Sequence, residues 1–191
     1  MSESTAVAVA THLPVGTWRS DPTHSSASFA VKHMAVSTFR GGFDHVEATL
    51  SVGDDGSAEL VGLVRADSIV VKDENLRGHL GSPEFFDVER YPELRFVSSS
   101  IRREGEDLIL DGELTICDQT HSVEARGTIT DPTEGPAALG GAVVIGLTLE
   151  TIIDRTAFGL SWNAPLPKGG VALANDVKLT VELELARADA E

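Results

Sequence analysis

The sequence predicts an all-β protein, an antiparallel up-and-down barrel of about eight strands with one short helix. Three observations carry this reading. Apolar residues recur at every second position in run after run, the period of a half-buried strand and not of a helix. Each run has one dry and one wet face, which belongs to antiparallel sheets, because parallel strands are covered on both sides. Turn signals separate the runs, as in a sandwich or a barrel. Closing the sheet removes its edges, which favours the barrel for strands this long.

Residues 1–15 read as a tail. Ala27, Phe29 and Val31 then alternate with Ser26, Ser28 and Lys32. Val46, Ala48, Leu50 and Val52 alternate with His45, Glu47, Thr49 and Ser51, and Asp54-Asp55-Gly56 supplies the tight turn of a hairpin. Leu60, Gly62, Val64 and Ala66 point inward in a less regular run that reaches Ile69, with Arg65 and Asp67 outward. Asp73 to Gly81 is the helical candidate, because Leu76 and Leu80 stand one turn apart and Gly81-Ser82-Pro83 stops it. Leu94 and Phe96 begin the next strand. Leu108, Leu110, Gly112, Leu114 and Ile116 follow, then Val123, Ala125, Gly127 and Ile129. Val143, Ile145, Leu147 and Leu149 form the next inward set, and Val177, Leu179, Val181, Leu183 and Leu185 the last. Segments 131–136 and 164–170 are loops by their Pro and Gly content. Residues 187–191 read as a second tail. A single domain over 16–186 results, since no linker divides it.

Composition bounds the function. Lys plus Arg number 15 against 30 Asp plus Glu, a net charge of −15, which argues against nucleic acid and anionic membrane surfaces as partners. Hydrophobic residues are 41% and aromatics 5%, so the chain is globular with an aliphatic core. Cys117 is alone, which rules out an intrachain disulfide. No apolar run approaches the roughly 18 residues of a membrane helix, so no stable membrane insertion is expected. The N-terminal stretch makes no convincing signal peptide, so the expected location is cytoplasmic. Gly62, Gly112 and Gly127 fall in phase with the inward face. Missing side chains there leave interior space, unless the glycines mark bends and bulges.

Trp18-Arg19-Ser20-Asp21-Pro22-Thr23-His24-Ser25, followed by Phe29-Ala30-Val31-Lys32-His33, resembles the opening of the YceI-like family. Gly42-Phe43, Leu76-Arg77-Gly78-His79-Leu80, Phe85-Phe86-Asp87, Tyr91-Pro92 and Phe96-Val97-Ser98 continue the family's order. Gly112-Glu113-Leu114-Thr115-Ile116 with His121-Ser122-Val123, then Arg155-Thr156-Ala157-Phe158-Gly159-Leu160 and Asn175-Asp176-Val177, complete it. Cys117-Asp118 stands where the family usually has Gly, and Ala157 where it commonly has a polar or acidic residue. The resemblance implies an extended, eight-stranded, lipocalin-like barrel around a long apolar pore, with the helix and loops near one end. It also implies a bound polyisoprenoid or fatty-acyl lipid, and often a homodimer.

Candidate ligand-binding residues follow. Phe29, Val31, Val64, Phe96, Leu114, Ile116, Val123, Ile145, Leu147 and Val181 are inward by alternation, as pocket wall or as plain core. Phe85, Phe86, Phe158 and Trp162 would line or close one end. Burying alkyl chain is worth about 0.8 kcal/mol per CH₂, so an isoprene unit offers about 3–4 kcal/mol and the tail alone can drive binding. Lys32, Arg77 and Arg155 are candidate contacts for an anionic head group, or else partners of surface acids. The histidines show no metal-ligand spacing, so neither metal nor cofactor is expected. His24 reads as a hydrogen-bonding residue, and His33 and His45 could meet across a hairpin. No catalytic motif is present. The expected function is non-enzymatic lipid binding for carriage, storage or sequestration. The alternatives are a stress-related or scaffold dimer with a filled barrel, and an enzyme acting on a hydrophobic small molecule.

Overall fold

The computed structural model describes residues 13–188, and the remaining 1–12 and 189–191 include most of both predicted tails, which therefore lie outside the described residues. The strand segments are β1 (Gly16–Ser20), β2 (Ser26–His33), β3 (Ser37–Phe43), β4 (Val46–Val52), β5 (Ala58–Arg65) and β6 (Ile69–Val70), followed by helix α1 (Glu74–Gly81). After it come β7 (Glu93–Glu104), β8 (Asp107–Ile116), β9 (Gln119–Ile129), β10 (Thr133–Glu134), β11 (Val143–Asp154) and β12 (Leu173–Arg187).

Strand pairing resolves these segments into eight antiparallel staves that close into a barrel. β12 pairs with β2 along its first part, Val177 opposite Val31, and with β1 along its last, Leu185 opposite Ser20. β1 and β2 are thus one interrupted stave. β3 and β4 form the next, and β5 with β6 the third, since β4 pairs β1 while β3 pairs β2, and β5 pairs β4 while β6 pairs β3. β7, β8, β9, β11 and β12 complete the circuit, and an eleven-pair ladder from Val144–Ala186 to Asp154–Asp176 closes it. The alternating runs of the sequence are these staves in the predicted up-and-down order. The alternation misses β1 and β3, whose short and glycine-containing segments carry too few periods to register.

Serine hydroxyls patch the ladder where it breaks. Residues 21–25 loop out between β1 and β2, and Ser25 Oγ donates to the Glu184 carbonyl (3.4 Å) while accepting the Glu184 N–H (3.3 Å). Ser20 Oγ accepts the Ala48 N–H at 2.8 Å, and Ser68 Oγ accepts the His45 N–H at 3.1 Å. At the irregularity in β7, Ser98 Oγ accepts the Leu60 N–H at 2.8 Å. A buried amide left unpaired costs about as much as a lost hydrogen bond, so each hydroxyl stands in for a missing carbonyl.

The two barrel ends differ. At the end where β1 begins, Trp18, Leu50, Leu108, Leu110, Ile145, Leu147 and Leu185 are at most 2% exposed and fill the interior. Leu13 joins that core, and the Trp18 indole donates to the Pro14 carbonyl at 2.9 Å, so packing begins inside the segment read as a tail. At the other end the staves diverge, because β6 pairs only with β3 and β7 leaves with β5 and β8. Residues 71–92 fill that gap. α1 forms there because Asp73 Oδ1 accepts the Leu76 N–H at 2.8 Å, and its Leu80 is buried against the barrel. The predicted helix is thus present, with Asp73 as its cap and not its first turn. Asp73→Ala is expected to lower stability by about 1 kcal/mol, read as a shift of the urea midpoint without a change of slope.

Candidate functional site

Two apolar cavities occupy the barrel below the filled end. The lower one, about 500 Å³, lies under α1 and the covering segment, among Phe29, Val31, Leu76, Phe85, Phe86 and Trp162. The upper one, about 140 Å³, lies deeper, among Gly62, Val64, Phe96, Leu114, Val123 and Val181. Phe43, Leu94, Ile116 and Leu179 border both, so they are two chambers of one interior. Phe29 packs its ring against Phe39 and Phe43 at 5.9 Å, and Phe86 meets Phe43 edge-on at 5.7 Å. Across the mouth, Phe85, His79 and Trp162 form a cluster with ring centres 5.0–5.4 Å apart. Aromatic edges and faces in this arrangement pack favourably, so the covering segment is held by its own rings.

Most of the sequence-predicted wall is at these chambers. Three residues are elsewhere. Ile145 and Leu147 belong to the filled end, where large side chains leave no void. Phe158 packs with Ile153, Leu160 and Val177 in a second cluster and meets His121 edge-on at 4.9 Å, with His121 Nε2 donating to the Ala157 carbonyl at 3.0 Å. Alternation finds the inward face but cannot say which inward residues meet a void and which meet one another. The candidate wall also leaves out Phe39, Phe43, Leu80 and Leu94, the first two on a segment too irregular to show a period.

The three inward glycines play three different parts. A Cβ on Gly62 would meet nothing within 4 Å, so this glycine does open the upper chamber. A Cβ on Gly112 would lie 2.5 Å from both Phe96 Cζ and the Val97 carbonyl, so Gly112 is the seat of the Phe96 ring. A Cβ on Gly127 would lie 1.7 Å from the Thr148 carbonyl, so Gly127 permits the close approach of β9 to β11.

Of the candidate head-group contacts, the fold brings only Arg155 to the cavity. Lys32 is exposed, and Arg77 pairs with Glu74 at 2.8 Å on the outside of α1. Arg155 is 4% exposed, lines the lower chamber, and has no carboxylate partner among the described residues. Its Nε donates to the Ala174 carbonyl at 2.9 Å, and its Nη1 to the carbonyls of Trp162 (2.9 Å) and Leu160. These bonds tie the loop after β11 to β12. Nη2 is buried and has no partner among the described residues. Burial holds the Arg155 guanidinium below its ordinary pKa, with the Asp154 charge acting the other way.

The remaining singled-out residues have structural work. Asp21, His24 and Glu184 form the one cluster of three metal-ligating side chains among the described residues. It sits on the outer surface at the looped-out segment, His24 Nδ1 lying 3.5 Å from Asp21 and 3.4 Å from Glu184. Asp21 Oδ1 already accepts the N–H groups of Thr23 and His24, and the Thr23 bond above all keeps its carboxyl below the usual range. His33 pairs with Ser37 across the hairpin while His45 bonds Glu47 at 2.9 Å, so these two do not meet. Cys117 and Asp118 form the tight β8–β9 turn, both at positive φ (48° and 62°). The Cys117 thiol lies 3.5 Å from the Phe86 carbonyl, and burial, then the Asp87 charge, push it up to about 11, which keeps it a thiol at neutral pH.

Comparison with known proteins places the chain among relatives. A family model described as YceI-like domain matches residues 18–185. A UPF0312 protein of Staphylococcus aureus (strain USA300) is 30% identical over 172 residues, covering 87% of this chain and 95% of the relative. Among solved structures, Burkholderia cenocepacia BcnA superposes with a TM-score of 0.73 at 20% identity, covering 86% of this chain and 98% of that one. A polyisoprenoid binding domain from Saccharophagus degradans, implicated in plant cell wall breakdown, superposes with a TM-score of 0.64 at 10% identity, covering 92% and 100%.

Proposed function

The chain belongs to the YceI-like family, and from that premise we propose that its barrel binds one long-chain amphiphilic lipid, of polyisoprenoid or fatty-acyl type, without chemically changing it. The observation that carries this reading is the pair of adjoining chambers, which share Phe43, Leu94, Ile116 and Leu179 and are walled almost wholly by aliphatic and aromatic side chains. Pockets of about 300–1,000 Å³ with few polar groups suit such a ligand. Each CH₂ withdrawn from water contributes about 0.8 kcal/mol, so the tail supplies the affinity. Carriage or storage of the ligand follows as its use, and the polyisoprenoid binding domain of S. degradans supports the same ligand class.

Arg155 sets the polar end. A buried cation without a counter-charge is costly, and an anionic head group in the lower chamber offsets that cost. A single guanidinium with one open edge suits a carboxylate or one phosphate oxygen better than a whole pyrophosphate. The ligand then lies head toward the loop after β11 and tail into the upper chamber. Lys32 and Arg77 take no part inside the barrel.

The test is organic extraction and lipid mass spectrometry of protein purified without detergent, followed by uptake of a fluorescent polyene fatty acid. Empty protein that also refuses the probe sinks the reading. The probe acid is expected to bind roughly tenfold or more tighter than its methyl ester, and Arg155→Gln to erase that preference while the ester binds unchanged. Equal binding of acid and ester to the wild type would remove Arg155 from the site.

A further inference from the structure

The negative charge of this chain is not spread evenly along the barrel. At the filled end, the turns carry Asp54, Asp55, Glu104, Glu106, Asp107, Asp131 and Glu134. At the mouth, two of the bordering segments hold no acid at all: residues 22–43 and 155–175 contain no Asp or Glu in a chain that has 30. They contain Lys32, Arg40 and Lys168 at the surface, with His33 at the cavity rim. Neither Lys32 nor Lys168 pairs with a carboxylate among the described residues, and Arg40 reaches only the Thr38 carbonyl, at 3.4 Å. The third mouth segment, 71–92, does carry acids, but Asp73 caps α1, Glu74 holds Arg77 and Glu84 holds His79. That leaves Asp87, Glu89 and Asp118 on the α1 side of the mouth, and Asp154 opposite Asp176 where the β11–β12 ladder ends, beneath the acid-free segments.

The same acid-free sector is apolar at its tip. Met34, Val36 and Val171 are 41%, 85% and 52% exposed, and the Met34 N–H donates to the Ala172 carbonyl at 2.7 Å, which joins the two loops. His33, Ser37, Thr38 and Ala172, their immediate neighbours, line the lower chamber. The tip is also strained. Met34 and Ala35 sit at φ 52° and 57°, positions where a hairpin ordinarily places Asn or Gly. These angles close the β2–β3 hairpin, and Val36 beside them is 85% exposed, so the tip turns its apolar side chain to solvent.

Apolar side chains that project beyond a cationic rim are the chemistry of attachment to an anionic lipid surface. The acids of the filled end do not oppose it. A twelve-residue strand such as β11 spans about 40 Å, several times the roughly 8 Å over which exposed charges act at physiological salt. The total of −15 therefore does not describe the tip formed by residues 32–40 and 168–171, whose charged residues are Lys32, Arg40 and Lys168.

We propose that this rim, Lys32, Met34, Val36, Arg40, Lys168 and Val171, docks the barrel mouth reversibly on anionic bilayers, so that ligand passes between membrane and lower chamber without crossing water. The proposal rests on the reading of the barrel as a lipid site. The test uses the full chain and vesicles of equimolar phosphatidylglycerol and phosphatidylcholine, against vesicles of phosphatidylcholine alone. Co-sedimentation with the anionic vesicles at low salt, lost at high salt and absent with the neutral ones, is expected. Lys32→Glu with Lys168→Glu, and separately Val36→Asp, are expected to weaken it roughly tenfold or more. The same variants should slow transfer of a polyene fatty acid out of anionic vesicles while binding the probe from solution unchanged. Equal sedimentation with both vesicle types, or variants that sediment like the wild type, overturns the proposal. So does a dimer that Val36→Asp converts to monomer while vesicles go unbound, since the patch would then face a second copy. Docking that persists in a protein unable to take the probe from solution removes the barrel reading and leaves the surface standing.

Discussion

Gly127→Ala is expected to unfold at a far lower urea concentration than the wild type, with a loss of about 3 kcal/mol or more. The alanine methyl would sit 1.7 Å from the Thr148 carbonyl oxygen and 2.7 Å from its carbon. Those are backbone atoms of the neighbouring stave, where Leu149 stands opposite Gly127, so no side-chain rotation relieves the overlap. β9 and β11 must move apart, and the adjacent ladder bonds stretch with them. Overpacking commonly costs 1–3 kcal/mol where side chains can yield, and here the obstacle cannot. The midpoint of urea unfolding, followed by the fluorescence of buried Trp18, measures it. A loss under about 1 kcal/mol would mean that the barrel tolerates a wider β9–β11 gap than its packing implies.

Gly62→Leu is expected to do the opposite: to leave the fold intact and remove function. Its Cβ meets nothing within 4 Å, and its position borders the upper chamber of about 140 Å³. The new side chain takes the space of the ligand's far end. Displacing three methylenes costs about 2.4 kcal/mol, or roughly 50-fold in affinity for a long-chain probe. A short-chain probe, which needs only the lower chamber, keeps its affinity. Fluorescence titration with probes of two chain lengths gives the comparison, and a urea midpoint at or above the wild-type value confirms the fold. Unchanged binding of the long chain would show that the ligand does not reach Gly62.

These two glycines stand in the same phase of the same kind of run, and the sequence alone cannot tell them apart. Periodicity reports which face of a strand a residue occupies. It does not report how close the next strand comes, which is why Gly62, Gly112 and Gly127 read alike as space. The eight staves themselves were legible, because each contributes several full periods of alternation, as Val177 to Leu185 does. The interruptions were not. Ser20, Ser25 and Ser68 look like ordinary outward polar positions until the ladder is seen to break beside them. The candidate site divides in the same way. Val64, Phe96, Leu114 and Val181 were found because a wall is made of inward residues. Ile145 and Leu147 were grouped with them, since inward residues also make a plug. Arg155 looked no different in the sequence from Lys32 or Arg77. Its distinction is burial beside the lower chamber with one guanidinium nitrogen left unpaired, a property of the folded neighbourhood.

The position of β12 governs how this chain comes to be folded. It lies between β11 and the first stave, so the barrel is sealed by pairing residues 16–33 with residues 173–187. During synthesis the first stave emerges well before β12 and waits for that partner until β12 has been made. Until then Trp18 lacks the neighbour that finally covers it, and the meander has two open strand edges. Contacts of such long sequence separation make folding slow, and open edges invite pairing with other chains. A chain that stops before Leu173 is therefore a sheet without closure, and the fifteen residues of β12 are what make it a barrel.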